Sequence, residues 1–239
     1  MDGELQFPPN FDSGRTEQLF RHYYARMYTK VSPAKIDAMI SLMVKRNVYL
    51  SPTFITTDRR IRGTAAVKAD PEQRQIPGKV ADLSSLNPAD DDERENWKKT
   101  NKLMHDVVGQ FQKAGGLLIA GTDSSGGEAG RALYPGGSLH REIELLAESG
   151  LTPLQALQTA TINTARMMGK EKDFGSVEAG KWGDLVILDA DPLSGIASLR
   201  KVHRVVLGGK VLEPAALLKE NLEQFGNPGE QQFSRSTRG

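Results

Sequence analysis

One carboxylate follows an apolar run in the stretch GGLLIAGTDSSGG, residues 115–127. Residues 117–121 are short and apolar, which predicts a buried strand, and Asp123 stands just past the end of that strand. In parallel α/β folds the carboxyl ends of the strands face the ligand crevice, so a side chain placed there can act on a substrate. Asp123 is therefore a candidate metal ligand or general base, and Thr122 beside it is a candidate pocket residue.

Two other interpretations of this stretch stay open. Asp frequently caps the turn after a strand, which would make Asp123 a structural residue, and the local pattern alone favours this interpretation. The Gly and Ser residues could instead cradle a phosphate with their backbone N–H groups. However, the stretch lacks the Gly–Lys–Ser/Thr ending of a P-loop, which makes the phosphate interpretation the weaker one.

The four histidines of the chain offer few partners for such a site. His22 and His105 fall within predicted helices, where surface or interhelical roles are usual. His203 falls within a predicted strand, where a cross-strand packing role is usual. His140 opens the predicted helix that follows the loop after Asp123. It is a candidate for lining the pocket or orienting Asp123, with a purely structural role at the helix start as the alternative.

Composition excludes several classes of protein. A chain of 239 residues is long enough for one large domain or two ordinary ones. A net charge of +1 gives no basic field for nucleic acid. The absence of Cys excludes disulfides, thiolate nucleophiles and Cys-ligated metals. The acidic start of the chain is unlike a secretory signal, and no apolar run approaches the ~20 residues of a membrane span, so we expect no membrane role and a cytoplasmic location.

The elements that must position Asp123 follow from the periodicity of the chain. Helices are predicted for residues 16–29, from Ser32-Pro33 to Asn47, from the acidic run at 90–95 to Gly115, and for 139–149, 153–160 and 163–168. Strands are predicted for 48–56 and 117–121, and within 175–193 and 201–214, with Gly208-Gly209 as a hairpin turn. The polar residues 57–90 show no period and predict a lid or a disordered insertion. This order favours parallel βα units followed by a small β element.

Two further groups of side chains could have functional roles but are better explained as structural. Arg59, Arg60 and Arg62 follow the first predicted strand, where they could clamp an anionic group, but a solvated basic loop is the preferred interpretation. Trp182 is expected to pack in the core of the β element.

Five stretches carry a resemblance to a known family. They are VYLSPTFIT, GGLLIAGTDSS, LHREIELLAESGLTPLQALQTATINTARMMG, GSVEAGKWGDLVILDADPL and VVLGGKVL. In this order they resemble the C-terminal part of the amidohydrolase superfamily, specifically its imidazolonepropionase-like and prolidase-like members, from about Ile36 to Leu212. The resemblance implies an α/β fold, a partial (β/α)8 TIM barrel followed by strands of a small β-sandwich. Residues 48–56 resemble barrel strand seven and 117–121 resemble strand eight. The implied domains are a partial barrel at 1–170, a β-sandwich segment at 171–220 and a disordered tail at 221–239.

The same resemblance implies a role for Asp123. It corresponds to the Asp that contacts a catalytic divalent metal, usually zinc, and takes the proton from the attacking water. The implied reaction is hydrolysis of a carbon–nitrogen bond, either non-peptide or in a dipeptide, in a small-molecule substrate.

The chain also departs from the family pattern. The His-x-His pair of the first barrel strand is absent, as are the mid-barrel Lys or carboxylate and the His residues of strands five and six. A zinc site of this kind needs about three protein ligands, so the ligand set is incomplete in this chain. We therefore expect a truncated form, with homo-oligomer formation or other association through exposed barrel edges. The alternative is an inactive fragment that acts only through association with another chain. In either case, Asp123 must face a concave surface for the hydrolase interpretation to hold.

Overall fold

The computed structural model of the chain describes residues 31–70, 91–124 and 136–225 and shows a mixture of helices and strands. In chain order the elements are α1 (Pro33–Lys45), β1 (Tyr49–Leu50), α2 (Phe54–Lys68), α3 (Asp91–Lys113), β2 (Leu117–Leu118), α4 (Gly137–Glu148), α5 (Pro153–Thr159), α6 (Ile162–Met167), β3 (Leu185–Leu188), a 3-10 helix (Ile196–Arg200), β4 (Val202–Leu207), β5 (Lys210–Leu212) and α7 (Pro214–Phe225). The helix predicted at 16–29 lies outside the described residues.

Strands β1 and β2 form a short parallel pair. Tyr49 lies opposite Leu117 and Leu50 opposite Leu118, and the amide of Ile119 extends the pairing by donating to the carbonyl of Leu50 at 3.1 Å. Parallel strands need a long crossover connection, and here α2 and α3 lie within it. Both strands are shorter than predicted. Pro52 cannot donate a ladder hydrogen bond, which agrees with the end of pairing after Leu50.

Helix α2 is the largest departure from the sequence-based prediction. Residues 54–56 were expected to continue a strand and 57–68 to be irregular, and both predictions are wrong. The helix has a kink at Gly63, where the backbone leaves helical values with φ 74°. Thr53 before it has φ 51° and its side chain makes no capping hydrogen bond. Thr53 is of a residue type that often caps helices, but here its side chain does not cap the first turn of α2.

The core lies between α2, α3, α4 and the strand pair. Its fully buried large side chains include Phe54, Ile55, Phe111, Leu118 and Leu146. Burial of each such side chain stabilises the fold by about 1.5–3 kcal/mol. Helix α1 contributes Ile36 and Ile40 to the same core, whereas Met39 is exposed.

Helix α3 begins with acidic residues and ends before Gly115, as predicted. Acidic residues near a helix N-terminus stabilise the helix, because their negative charge interacts favourably with the positive end of the helix dipole. Glu93 in this acidic start is buried and accepts a hydrogen bond from the indole N–H of Trp97 at 3.1 Å. Within the part of the chain that the structure describes, no helix combines the length and the apolar character that a membrane crossing requires.

The C-terminal strands form an antiparallel sheet in the order β3–β4–β5. The turn between β4 and β5 is Gly208-Gly209, with φ 56° and 76°, which confirms the predicted hairpin, since its turn type needs two positive φ values. Val186 and Val211 are 61% and 62% exposed, so apolar side chains of this sheet face outwards. Trp182 is also exposed and only lies tilted against Phe174, so its predicted place in a core is wrong. Helix α7 runs to Phe225, past the domain boundary expected at residue 220.

The start of α5 is encoded locally and gives a first prediction. The Thr152 hydroxyl accepts from the Gln155 amide at 3.2 Å, and the Gln155 side chain accepts from the Thr152 amide at 2.9 Å. Replacing Thr152 with Ala removes this reciprocal cap, so we expect the free energy of unfolding in urea to fall by about 1 kcal/mol. Thr161→Ala is the control, because the Thr161 hydroxyl donates to the Leu157 carbonyl and caps no amide. Equal losses in the two variants would contradict the prediction.

Candidate functional site

The chain segments that follow β1 and β2 lie against each other. A Cβ atom added to Gly121 would lie 2.2 Å from the Ser51 hydroxyl oxygen and 3.7 Å from the Thr53 methyl carbon. Only glycine allows this close approach. We call Ser51, Thr53, Gly121, Thr122 and Asp123 the strand-end cluster. The cluster lies just after the strand pair, with Asp123 five residues past the end of β2 and Gly121 beside the segment that follows β1.

Asp123 is exposed and its backbone has φ 53°, in the left-handed region. Asp tolerates this conformation better than most residues, and it is common in turns. The neighbouring Thr122 hydroxyl donates to the Ser124 hydroxyl oxygen at 2.8 Å. The residues in the described ranges therefore leave Asp123 open to solvent, and the concave surface that its predicted role requires is not formed by them alone.

His140 lies in the first turn of α4 and is half-buried. Burial lowers the pKa of its imidazole, which favours the neutral form that can accept a proton or a hydrogen bond. Its assignment as a pocket residue beside Asp123 stays a prediction.

The other two described histidines have structural contacts of the predicted kind. His105 stacks on Phe54 with 4.2 Å between ring centroids, and its Nδ1 lies 2.8 Å from the Ser149 hydroxyl, so it joins α2, α3 and the end of α4. His203 Nδ1 lies 2.8 Å from the Asp189 carboxylate beside the sheet. Across ranges 31–70, 91–124 and 136–225, no group of three or more His, Asp or Glu side chains is arranged to hold a metal ion. These residues do not by themselves fit a catalytic metal site.

Glu142 is the functional candidate that sequence reasoning missed. Its side chain is fully buried, and its two oxygens accept hydrogen bonds from the Phe54 amide at 3.0 Å and the Ile55 amide at 2.8 Å. Burial raises the pKa of Glu142 to about 7, and this effect outweighs the two backbone hydrogen bonds, which lower it. The sequence did contain one sign of this burial. Glu142 stands three residues after Leu139 and four before Leu146, a spacing that places it on the apolar face of α4.

Arg141 anchors a network of ion pairs next to Glu142. Its guanidinium lies 2.9 Å from the Asp58 carboxylate on α2 and 2.8 Å from Glu148. Glu144 on the same helix binds Arg200 of the 3-10 helix at 2.6 Å. The network therefore joins α2, α4 and the 3-10 helix that connects β3 with β4 in the C-terminal sheet.

The arginines after β1 do not form a solvated basic loop, so that prediction is wrong. They lie on α2, where Arg59 is buried and donates to the Ser138 hydroxyl oxygen at 3.3 Å. The Arg60 guanidinium lies 5.4 Å above the Trp97 ring. Arg62 bonds both oxygens of Asp70. The first two contacts hold α2 to α4 and α3, and the third braces the C-terminal end of α2 itself.

The buried carboxyl of Glu142 predicts a pH dependence of stability. Its pKa rises from an ordinary 4.5 to about 7 on folding, so the folded state binds its proton more tightly. The stability that it contributes is fully present below pH 4.5 and is lost as the pH rises through 7. We expect the free energy of unfolding of the wild type, minus that of Glu142→Gln, to fall by as much as about 3 kcal/mol between about pH 4.5 and 8.

Chemical denaturation of both proteins at several pH values measures this difference. Burial lowers the pKa values of His105 and His140, so these groups destabilise the fold as the pH falls below 6.5, in the opposite sense. Because both proteins contain them, their contribution cancels. A difference that does not change with pH would contradict the prediction.

Comparison with known proteins agrees with the resemblance seen in the sequence. The Amidohydrolase family profile matches residues 21–212. The imidazolonepropionase of Shouchella clausii (strain KSM-K16) is 36% identical over 76 residues, which cover 30% of this chain and 17% of that protein. The ochratoxinase of Aspergillus niger is 29% identical over 128 residues, which cover 50% of this chain and 25% of that protein.

A solved structure shows the same likeness in three dimensions. The crystal structure of a Xaa-Pro dipeptidase with bound methionine in its active site superposes with a TM-score of 0.52 at 23% identity, covering 73% of this chain and 36% of that one. At this identity the likeness shows the fold alone: the structures that the chain resembles are of the TIM-barrel type, and its described residues form a mixture of helices and strands. The matched region spans a quarter or less of the two curated relatives. Since the family profile extends over most of the sequence, the chain belongs to the amidohydrolase family.

Proposed function

We propose that the chain supplies the last two βα units of a metal-dependent (β/α)8 barrel that hydrolyses a carbon–nitrogen bond. The observation that carries the proposal is the parallel pairing of β1 with β2, with Asp123 five residues after the second strand. In barrels of this kind the catalytic side chains follow the carboxyl ends of the strands. In this proposal residues 1–170 belong to the barrel and 171–220 to a β-sandwich segment, with α7 continuing past this boundary to Phe225 before the tail.

The chemistry assigned to Asp123 is acid–base catalysis. Amide hydrolysis needs a group that removes a proton from the attacking water and then delivers a proton to the leaving nitrogen. A carboxylate in a turn that follows closely after a strand is suited to this transfer, because the nearby sheet limits how far the turn can move. Thr122 and His140 are proposed to line the same pocket. The substrate is a small molecule with an amide or dipeptide bond, as the imidazolonepropionase-like and prolidase-like resemblance indicates.

A divalent metal, zinc in this proposal, requires more ligands than the described residues provide. Asp123 is the one ligand that we assign to it. The remaining ligands are proposed to come from barrel strands equivalent to those that carry His-x-His in the family, since that pair does not occur in these 239 residues. The same strands would form the wall that encloses Asp123. The proposed activity therefore belongs to this chain combined with the rest of a barrel.

Complementation tests the proposal. The chain is coexpressed with the part of the Shouchella clausii imidazolonepropionase that precedes the region of similarity, and the purified complex is assayed for zinc and for hydrolysis of dipeptides and N-acyl amino acids. We expect the two polypeptides to copurify with about one or more zinc ions per complex and to hydrolyse at least one substrate, whereas either polypeptide alone is inactive. Failure to associate, or a zinc-loaded complex without hydrolysis, would overturn the proposal.

A second candidate function is association without catalysis. It is favoured by the exposed aliphatic side chains of the C-terminal sheet, such as Val186, Leu207 and Val211, together with the lack of a metal-binding group among the residues that the structure describes. This function predicts that the purified chain holds fewer than about 0.1 zinc ions and shows no amidase activity, yet self-associates or binds another chain. Zinc content, hydrolysis and size-exclusion chromatography separate the two functions.

A further inference from the structure

The N-terminus of α2 depends on a residue that is distant in sequence. Thr53 before it has a left-handed backbone and provides no side-chain cap, while the following residues, Phe54 and Ile55, are completely buried. The first amides of a helix have no partner within the helix, and burying them without an acceptor is costly. Glu142 is 88 and 87 residues away, and each of its carboxylate oxygens accepts from one of these amides. Glu142 therefore acts as the cap of α2.

The start of α2 is directly connected to the strand-end cluster. Thr53 immediately precedes the two capped amides, and its methyl carbon lies 3.7 Å from the position that a Cβ atom of Gly121 would occupy. The Ser51 hydroxyl oxygen lies 2.2 Å from the same position. A shift of this turn therefore presses on the backbone of Gly121, two residues before Asp123. Closely packed backbone segments transmit such shifts because there is no free space to absorb them.

From these contacts we infer that Glu142 is a positioning residue, which fixes the turn after β1 through the Phe54 and Ile55 amides and thereby sets the placement of Asp123. The inference rests on the proposed function in one respect, since it takes Asp123 as the reacting group. It adds that a carboxylate which touches no substrate controls the geometry of this group. Glu142 thus differs in role from Asp123, although both are carboxylates near the same strand ends.

The charged groups around Glu142 are already engaged with one another. On α2, Asp58 binds Arg141, and Arg59 contacts Ser138. On α3, His105 stacks on Phe54. On α4, Arg141 binds Asp58 and Glu148, and Glu144 binds Arg200. Glu142 itself is held by the two amides.

Protonation gives a means of observing this role. When one oxygen of Glu142 becomes a hydroxyl it is a poorer acceptor, and one of the two amides loses its ionic partner. Burial raises the pKa of Glu142 to about 7. Its protonation can therefore be followed at pH values where the protein stays folded. If Glu142 positions the strand-end cluster, the backbone of Gly121, Thr122 and Asp123 reports the same titration as Glu142. A residue that only stabilises the core does not produce this signature.

The experiment uses the metal-free 239-residue chain labelled with 15N and with 13C in the Glu side chains. The 13Cδ shift of Glu142 and the amide shifts of Phe54, Ile55, Gly121, Thr122 and Asp123 are followed between about pH 5 and 8.5, on either side of the midpoint. We expect a shared midpoint near pH 7 for all of them. In Glu142→Gln the shared transition disappears at Gly121–Asp123, and hydrogen exchange at the Phe54 and Ile55 amides accelerates about tenfold or more. Glu148→Gln, which replaces an exposed carboxylate on the same helix, retains the transition.

Each outcome decides the inference. A Glu142 carboxyl that titrates while Gly121–Asp123 do not, or a transition at Gly121–Asp123 that persists in Glu142→Gln, would overturn it. If Glu142→Gln does not fold, the comparison of midpoints within the wild type still decides, because it needs no variant. None of these measurements depends on hydrolysis, so their failure is distinguishable from failure of the proposed function in the complementation assay.

Discussion

Replacing Asp123 with Asn is expected to lower the hydrolytic rate of the complemented barrel by about 10²- to 10⁴-fold. Asn has nearly the same shape, so the turn with φ 53° after β2 is retained. The amide cannot accept the proton of the attacking water, and this is the property that the substitution removes. Steady-state rates of wild-type and variant complexes at several pH values measure the effect as a loss in kcat.

Asp106→Asn is the matched control for this variant. Asp106 lies on α3 and pairs with Lys102 at 2.7 Å on the surface, so its replacement removes a carboxylate of the same kind away from the strand ends. We expect it to retain full activity. An Asp123→Asn complex with undiminished kcat would show that Asp123 merely closes the turn, which is the structural interpretation that the sequence left open.

Replacing Arg141 with Met is expected to lower the free energy of unfolding by about 3–5 kcal/mol. The substitution removes the cation that lies 2.9 Å from Asp58 and 3.3 Å from Glu144, both buried. Because Asp58 retains Arg62 at 3.6 Å and Glu144 retains Arg200 at 2.6 Å, we expect a loss at the lower end of this range. Removing one member of a buried ionic group costs this much because the remaining charge is left in a poorly solvated place. Urea denaturation monitored by circular dichroism measures the loss.

A double-mutant cycle with Asp58→Asn separates the ion pair from lost packing. Because the amide introduced by Asp58→Asn carries no charge, the additional loss caused by Arg141→Met should be smaller in that background by about 1 kcal/mol or more, on the order of measured couplings between contacting residues. Lys102→Met provides the control for removing a cation from an exposed pair and is expected to change stability by about 0.5 kcal/mol or less. Strict additivity of the two core substitutions would contradict the assignment of this network as a buried electrostatic contact.

The elements that the sequence predicted well are those whose start and end signals are local. Thr152 and Pro153 begin α5, Ser32 and Pro33 begin α1, and Gly208-Gly209 forms the hairpin turn, each through contacts within a few residues. Cap and turn chemistry of this kind is visible in a single sequence. The short apolar run likewise predicted β2, but the observed strand covers only Leu117–Leu118 of the predicted 117–121, so Asp123 lies five residues beyond it.

The elements that the sequence could not reveal are held by distant contacts. Helix α2 contains β-branched residues, a Gly63 kink and no local cap, and its first amides are bonded to Glu142. Tertiary contact therefore overrides a local pattern that resembles a strand and a loop. Similarly, the burial of Arg59 follows from packing against Ser138 rather than from any property of the basic run. The solvent exposure of Asp123 depends on the segments that surround it in the fold. The hydrophobic periodicity of the sequence does not contain this information.

The separation between Glu142 and the amides that it caps has a consequence for biosynthesis. During translation, the residues of α2 leave the ribosome long before α4 is made, so the nascent helix has no acceptor for its first turn. Contacts of such large sequence separation carry a high loop-closure entropy and slow the search for the native topology. Helix α2 can therefore be completed only after α4 has been synthesised. In a nascent chain on a ribosome that stalls earlier, no contact with Glu142 holds the turn after β1 in place.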